Sequence, residues 1–164
     1  MELISNAFGP GGEIPIQYTQ DGVDVSPPLA WSDIPPGTQS MALVVDDPDV
    51  PSSELPNHKG WVHWIVLDLP ATTRSLPEGV ARLPGGQMGT NDWSHASWDG
   101  PAPPEGQKHR YRFKLYALDR MLELDAPNRA RLETAMRDHV LAEAQLIGTY
   151  TKWNPNWAGE ARSE

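Results

Sequence analysis

Two apolar segments in the first half of the chain have the pattern of buried strands. Residues 41–45 are continuously apolar, and residues 61–67 place apolar side chains on both faces of an extended backbone. Because neither face of the second segment is polar, we predict a central strand that is buried on both sides and ends at Pro70.

A third segment, residues 111–118, alternates instead. Its aromatic and aliphatic side chains share one face, whereas Arg112 and Lys114 lie on the other face, which we expect to be solvated. His109 precedes this segment with the same parity as Tyr111, so its side chain should point to the core side. The alternation makes this segment the clearest strand of the chain.

Residues 128–146 predict a helix near the carboxyl terminus. Apolar side chains recur there at helical spacing, at Leu132, Met136, Val140 and Ala144. Asn128 is expected to cap the amino-terminal end of this helix, and Gly148 to end it. A short final strand is expected over residues 149–152, followed by a frayed end over residues 156–164.

Glycines and prolines, 14 and 17 in number, are spread between these segments and mark turns. Residues 14–18 predict a short edge strand, because Pro15 cannot donate a hydrogen bond to a neighbouring strand. Residues 26–31 predict an extended structural strap. Residues 84–108 show almost no periodicity but carry two tryptophans and a histidine, so we expect an ordered, functional loop.

Many strands followed by one late helix predict a mostly β fold. With 164 residues, of which 38% are apolar and 21% are charged, the chain fits a single domain over residues 1–164. Cysteine is absent, which excludes disulfides and thiol catalysis and removes the commonest ligand of structural zinc.

The charge of the chain limits the classes of partner that it can bind. A net charge of -9 argues against nucleic acid and anionic membrane surfaces. The first residues lack the features of a signal peptide, and no apolar run reaches membrane-spanning length. We therefore expect a cytoplasmic protein without an integral membrane segment.

Titratable side chains gather at the ends of the predicted strands. Three carboxylates within residues 46–49 follow the first apolar segment, and His63 lies inside the second. Such groups are stable there only if they are solvated or paired. His109 and Tyr111 stand at the start of the third strand, directly after the glycine- and proline-rich loop. This arrangement indicates a pocket for a small ligand.

A set of short motifs occurs in order along nearly the whole chain. They are Asp47-Pro48-Asp49-Val50-Pro51, Val62-His63-Trp64, Gly100-Pro101 with Pro103-Pro104, and His109-Arg110-Tyr111 leading into residues 113–118. Each motif is moderately specific, and the common order is strongly so. With these motifs the sequence resembles the phosphatidylethanolamine-binding protein family, in its bacterial branch of Raf-kinase-inhibitor-like proteins.

The resemblance implies a mostly β fold, in which two antiparallel sheets pack together with a carboxy-terminal helix. It also implies a non-enzymatic pocket, without cofactor or metal, for small anions such as phosphate esters or the phosphoethanolamine head group. Carried over by motif position, the ligand-binding residues are Asp47, Asp49, His63, Pro101, His109 and Tyr111. The same resemblance leaves two further possibilities open. The protein could regulate a protein partner in the manner of a kinase inhibitor, and it could form a homodimer.

Two carboxylates in an anion-binding pocket require an explanation. We expect Asp47 or Asp49 to accept a hydrogen bond from His63 or His109 and so to favour the imidazolium, because free histidine titrates at about 6.5. The imidazolium, the Tyr111 hydroxyl and loop N–H groups would then donate to phosphoryl oxygens. A remaining carboxylate could face an ammonium group of the ligand.

Two neighbouring charges are assigned outside the pocket. Asp46 is expected to be a solvated or capping carboxylate, and Arg110, whose parity is opposite to that of Tyr111, to form a structural ion pair. The pocket aspartates and histidines could alternatively hold a divalent metal and hydrolyse esters, although the motifs HExxH and GxSxG are absent. A protein-interaction module that acts through the pocket rim is the other alternative.

Overall fold

The computed structural model describes residues 1–55 and 59–152 and folds them into two antiparallel sheets and one helix. The elements are β1 (Glu2–Ile4), β2 (Leu29–Ser32), β3 (Ser40–Asp47), β4 (Trp61–Pro70), β5 (Ser75–Leu76), β6 (Gln87–Met88), β7 (Lys108–Leu118), α1 (Arg129–Met136) and β8 (Val140–Thr151). Strands β1, β2 and β5 form one sheet, and the other five form a sheet in the order β6-β4-β3-β7-β8. The predicted mostly β fold with two antiparallel sheets and a late helix is confirmed.

Strand β3 lies at the centre of the larger sheet, between β4 and β7. All of its residues are buried, because it has a paired neighbour on each side and is covered on both faces. Strand β4 is buried over residues 62–69 and ends at Pro70, which confirms the prediction made from its two apolar faces. Successive side chains of these strands therefore point into two different environments.

Two hydrophobic cores lie on the two faces of the five-stranded sheet. Val45 and Trp64 belong to the larger core, which also contains side chains of the three-stranded sheet. Val44, Ile65 and Leu132 belong to the smaller core, which packs beneath α1. Adjacent residues of β3 thus have different neighbours, and the same separation applies to the two aspartates at its end.

The second half of the predicted helix is a strand. Helix α1 ends at Met136, and Asp138 adopts a left-handed backbone conformation (φ 68°) before β8 begins. Strand β8 then pairs with β7 along its whole length, from Val140 to Thr151. The prediction of a helix that continues until Gly148 is therefore wrong. The edge of β7 satisfies the backbone of this segment, and this non-local pairing overrides the helical spacing of its apolar residues.

Gly148 has a packing role in β8. A Cβ atom at this position would lie 2.7 Å from a ring carbon of Phe8 and 2.6 Å from a side-chain carbon of Ile14. The close approach of the amino-terminal segment to β8 therefore requires glycine here. The predicted cap of α1 is confirmed, since the Asn128 side chain accepts a hydrogen bond from the Arg131 N–H at 3.0 Å.

Three further expectations concern residues 14–18, the polar face of β7 and the carboxyl-terminal end. Residues 14–18 contain a turn of 3-10 helix at Ile16–Tyr18 and no edge strand, so that prediction is wrong. The face of β7 that carries Arg112 and Lys114 is half-buried, because α1 packs on the same side of the sheet. The frayed end predicted for residues 156–164 lies outside the described residues.

Candidate functional site

A cavity of about 360 Å³ opens at the edge of the five-stranded sheet where β3 ends and where β4 and β7 begin. We call it the Asp47–His109 cavity. Its walls are mostly aromatic and proline side chains, with a few polar groups among them. The lining residues are Asp47, Val50, Pro51, Glu54, Trp61, His63, Trp93, Ala102, Pro103, Pro104 and His109. An apolar cavity with few convergent polar groups is typical of a small-ligand site.

Asp47 and His109 form a buried pair at the floor of this cavity. The Nδ1 atom of His109 donates to Oδ2 of Asp47 at 2.6 Å, and the two side chains are only 5% and 3% exposed. The second carboxylate oxygen of Asp47 accepts the backbone N–H of Asp49 at 2.7 Å, which fixes its orientation. The Nε2 atom of His109 has only a long contact, 3.3 Å, to the Gln107 side-chain oxygen. The structure thus contains the carboxylate–imidazole contact that we expected, between strands β3 and β7.

His63 is held differently. Its Nδ1 atom lies 2.6 Å from the carbonyl oxygen of Asp99. Because a carbonyl only accepts, Nδ1 carries the proton and Nε2 is the free position of the neutral ring. Burial lowers the pKa of His63 below its ordinary value, although the hydrogen bond to Asp99 and the charge of Asp47 oppose this. The expected imidazolium therefore does not apply to His63.

Aromatic rings enclose His63 edge-on. The Trp93 ring centroid is 4.9 Å from that of His63, and the Tyr111 centroid is 5.2 Å from it. Burial, together with the charge of Asp47, strongly raises the pKa of Tyr111, so its hydroxyl stays protonated. Among the described residues, this hydroxyl and the indole N–H groups of Trp61 and Trp64 are buried without a hydrogen-bond partner. Buried donors in native proteins are rarely left in this state.

A buried asparagine that the sequence did not point to positions the loop that carries Trp93. The Asn91 side-chain oxygen accepts the backbone N–H groups of Trp93 and His95, at 3.0 and 3.1 Å. Its amide donates to the His63 carbonyl at 3.2 Å and to the Asp99 carboxylate at 2.7 Å. Asn91 therefore joins the loop to β4. The only local signal for this role is that asparagine often hydrogen-bonds the backbone two residues further on.

Three of the six predicted site residues, Asp49, Pro101 and Tyr111, are not among the residues that line the cavity. Asp49 forms a bidentate ion pair with Arg110, at 2.8 and 3.0 Å, and this confirms the structural ion pair expected for Arg110. Pro101 uses its carbonyl to accept the backbone N–H of Gln20 at 3.0 Å. Contact with a ligand stays a prediction for all six residues. Glu54 and Trp61 also line the cavity, although no motif in the sequence points to them.

Asp46 is neither solvated nor a cap, and that expectation is wrong. It is completely buried on the opposite face of the sheet, where both of its oxygens bind Arg112, at 2.8 and 2.7 Å. Arg129 donates to the same carboxylate. Burial opposes ionisation, but these cations and Lys114 together hold the pKa of Asp46 below its ordinary value.

Asp47 and Asp49, the two aspartates of the metal alternative, are already engaged by other groups. Within residues 1–55 and 59–152, no group of three or more His, Cys, Asp or Glu side chains is arranged to hold a metal ion. Asp49 binds Arg110 through both oxygens, and Asp47 is bound to His109 and the Asp49 backbone. In the same part of the chain, no helix is long and apolar enough to cross a membrane.

Comparisons with known proteins agree with this architecture. The family model described as phosphatidylethanolamine-binding protein matches residues 4–151. A UPF0098 protein of Methanothermobacter thermautotrophicus is 43% identical over 157 residues, covering 93% of this chain and 99% of its own. UPF0098 protein YbhB of Escherichia coli is 36% identical over 163 residues, covering 92% of this chain and 100% of its own.

Two solved structures have the same fold over most of their length. CT736 of Chlamydia trachomatis, described as a homolog of phosphatidylethanolamine-binding protein, superimposes with a TM-score of 0.84 at 41% identity, covering 92% of this chain and 97% of its own. Escherichia coli YbcL, described as a member of the mammalian family, gives a TM-score of 0.81 at 30% identity, with the same coverage of 92% and 97%. The chain therefore belongs to the phosphatidylethanolamine-binding protein family.

Proposed function

We propose that this protein is a non-enzymatic binding protein whose Asp47–His109 cavity takes a small ligand with an anionic group, such as a phosphate ester. Family membership supports ligand binding in general. The observation that carries the proposal is the buried Asp47–His109 pair at the floor of an otherwise apolar cavity. A buried carboxylate–imidazole pair that opens on an otherwise apolar cavity has lost contact with water, and stability alone does not explain why the protein keeps it there.

Several donors in the cavity, and the Tyr111 hydroxyl beside His63, are not fully used by the protein itself. His109 Nε2 has only the 3.3 Å contact to Gln107, which lies beyond the usual range of N–H···O distances. The Tyr111 hydroxyl and the Trp61 indole N–H have no partner among the described residues. A phosphoryl group presents several oxygens at one centre, so small rotations of these side chains would let it accept from two or three of them.

The charges of the lining favour a zwitterionic ligand over a bare anion. No lysine or arginine is among the described lining residues, whereas Glu54 and Asp47 are. A ligand that carries an ammonium group next to its phosphate would match both the donors and the carboxylates. We therefore infer that phosphoethanolamine binds more tightly than inorganic phosphate. Trp61 and Trp93 provide apolar contact for the carbon chain.

An NMR titration tests this proposal. Uniformly ¹⁵N-labelled protein is titrated with phosphoethanolamine, and the indole N–H of Trp61 and the backbone of His63 and His109 should shift together. The variant H109A should bind at least tenfold more weakly. H139A is the matched control, because His139 pairs with Asp119 away from the cavity. If H109A binds as tightly as the unmodified protein, the proposal fails.

The same samples address catalysis. ³¹P spectra recorded over a day should show phosphoethanolamine unchanged, both without added metal and with zinc or manganese present. Release of inorganic phosphate that is lost in H109A and retained in H139A would instead support the metal-assisted hydrolase. Binding and hydrolysis are thus read from one experiment.

A further inference from the structure

A second cavity lies on the opposite face of the five-stranded sheet from the Asp47–His109 cavity. It has a volume of about 520 Å³ and is bounded by β7, by α1 and by residues just before β4 and β8. Five cations line it: Lys59, Arg112, Lys114, Arg129 and Arg137. We call it the basic cavity. This concentration of positive charge occurs in a chain whose net charge is -9, so it is a local feature that opposes the field of the whole protein.

Two of these cations are paired with one buried carboxylate. Asp46 is bound through both oxygens by Arg112 and is also contacted by Arg129, which is itself only 7% exposed. Lys59 pairs instead with Glu133, at 2.9 Å. Arg112, Arg129 and Lys59 therefore have carboxylate partners, and the ion pairs hold the wall of the cavity in place.

Of the remaining two cations, Lys114 has only a long carboxylate contact and Arg137 has no ion pair among the described residues. The Lys114 Nζ atom is 3.9 Å from the nearest Asp46 oxygen, an oxygen that Arg112 and Arg129 already occupy. Arg137 follows the last residue of α1 and forms no ion pair with the residues that the structure describes. These two side chains come from different elements and line the same cavity, so an anion between them would be contacted from two sides.

The surroundings of Lys114 are unfavourable for its charge in the absence of an anion. Burial lowers the pKa of Lys114, and the neighbouring Arg112 and Arg129 lower it further, while Asp46 opposes this and Glu133 opposes it weakly. A negatively charged group in the cavity would relieve the repulsion among these three cations. A bound anion would therefore stabilise the charged form of Lys114.

The remaining lining residues indicate a ligand that is larger than a single inorganic ion. Val44, Met136 and Val140 supply apolar surface, and Tyr116 adds an aromatic ring. Glu133 and Asp138 are the two carboxylates of the lining, against five cations. Burial, and after it the charge of Glu143, raises the pKa of Tyr116, so its hydroxyl remains available as a donor. The cavity is much larger than a single phosphate group, and the apolar part would accommodate carbon atoms attached to it.

We propose that the basic cavity is a second ligand site, which binds a doubly charged phosphate monoester with Lys114 and Arg137 as its principal cations. Guanidinium groups suit phosphoryl oxygens because their N–H donors are arranged in a planar fork. Arg112 and Arg129 stay bound to Asp46 and add positive potential from the wall. The site is independent of the Asp47–His109 cavity, since the two are separated by the sheet.

The test uses phenyl phosphate, a dianionic monoester with an apolar group, at low ionic strength and pH 8. Binding is measured by calorimetry and mapped by ¹⁵N chemical shifts in the full chain carrying H109A, so that the other cavity does not contribute. We expect shifts at Arg112, Lys114, Tyr116 and Arg137. The variant R137Q should weaken binding at least fivefold, and K114Q should do the same.

R131Q is the matched control. Arg131 lies on α1, six residues before Arg137, and is exposed, but it does not line the basic cavity, so its loss removes one charge without changing the site. The affinity of R131Q for phenyl phosphate should differ from that of the parent protein by less than twofold. Equal weakening in R131Q and R137Q would show general charge attraction and would overturn the proposal. Chemical-shift changes confined to residues outside β7 and α1 would overturn the proposal as well. Because Arg137 is exposed, R137Q is expected to fold normally, which a circular dichroism melt verifies.

Discussion

Asp46 and Asp47 are neighbours at the end of β3, yet their carboxylates lie on opposite faces of the five-stranded sheet. Asp46 binds Arg112 and Arg129 beside the smaller core, whereas Asp47 binds His109 at the floor of the Asp47–His109 cavity. The alternation of side chains along a strand is sufficient to produce this separation. One strand end therefore supplies a structural ion cluster on one face and a candidate ligand site on the other.

Removal of the Asp46 charge should destabilise the fold strongly. In D46N the buried Arg129 and the half-buried Arg112 lose their shared carboxylate, and breaking such a buried ion pair typically costs about 3 to 5 kcal/mol. Urea unfolding followed by fluorescence measures the change. Asp125→Asn, at an exposed position, is the control and should change the free energy of unfolding by less than about 0.5 kcal/mol.

The same variant should alter the acid branch of the stability curve. The folded pKa of Asp46 is lowered, so its contribution is fully present above the unfolded value of about 3.9 and is lost as the pH falls through the folded pKa. The difference in unfolding free energy between the native protein and D46N should therefore shrink as the pH is lowered below about 4. A difference that stays constant down to pH 2 would contradict the assignment.

Tyr111→Phe should separate binding from stability. The Tyr111 hydroxyl is buried without a partner among the described residues, so its removal should leave the free energy of unfolding unchanged or raise it by up to about 1 kcal/mol. Affinity for phosphoethanolamine should nevertheless fall by about tenfold, the value of one hydrogen bond to a charged group. A loss of stability larger than about 1 kcal/mol would mean that the hydroxyl has a partner within the protein.

His63 should be neutral at pH 7, with its proton on Nδ1. Its pKa is lowered by burial, so a long-range ¹H–¹⁵N titration should place its midpoint below the free value of about 6.5. The unfolded chain binds this proton at a higher pH than the folded one does. Stability linked to His63 is thus present above about pH 6.5 and is lost as the pH falls from there towards the folded pKa. A midpoint above the free value would refute the assigned tautomer and environment.

The sequence revealed those features that depend on local pattern. The alternation over residues 111–118 predicted β7, and the continuous apolar segments predicted β3 and β4, because burial of one or both faces leaves a period-two or unbroken apolar pattern. Asp47 and His109 could be connected because their motifs recur together in the family that the sequence resembles. Local pattern was thus enough for the strands, whereas the link between Asp47 and His109 needed the family resemblance.

Features that depend on distant partners were missed. Asp46 could not be assigned, because its partner Arg129 lies 83 residues away on a helix that offers no motif. Residues 140–146, the first part of β8, have apolar positions that also fit a helical period, and only the paired edge of β7 decides between helix and strand. Asn91 was overlooked because its contacts reach from a loop to β4.

The packing of β8 against the amino-terminal segment leads to a further prediction. Gly148→Ala should destabilise the protein by about 1 to 3 kcal/mol, because its methyl group would overlap with Phe8 and Ile14. Gly9→Ala is the control, since a Cβ at that position meets no atom within 4 Å. Equal effects in thermal unfolding would indicate that the amino-terminal segment moves away from β8 at little cost.

The central claim, that the Asp47–His109 cavity receives an anionic group, is tested most directly by a crystal structure of the protein with saturating phosphoethanolamine. We predict density for a phosphoryl group between His63 and His109, with an oxygen within 3.2 Å of His109 Nε2 and another near the Tyr111 hydroxyl, following the usual limits of hydrogen bonding. A cavity that holds only water at saturation, with His109 still in contact with Gln107, would contradict the claim.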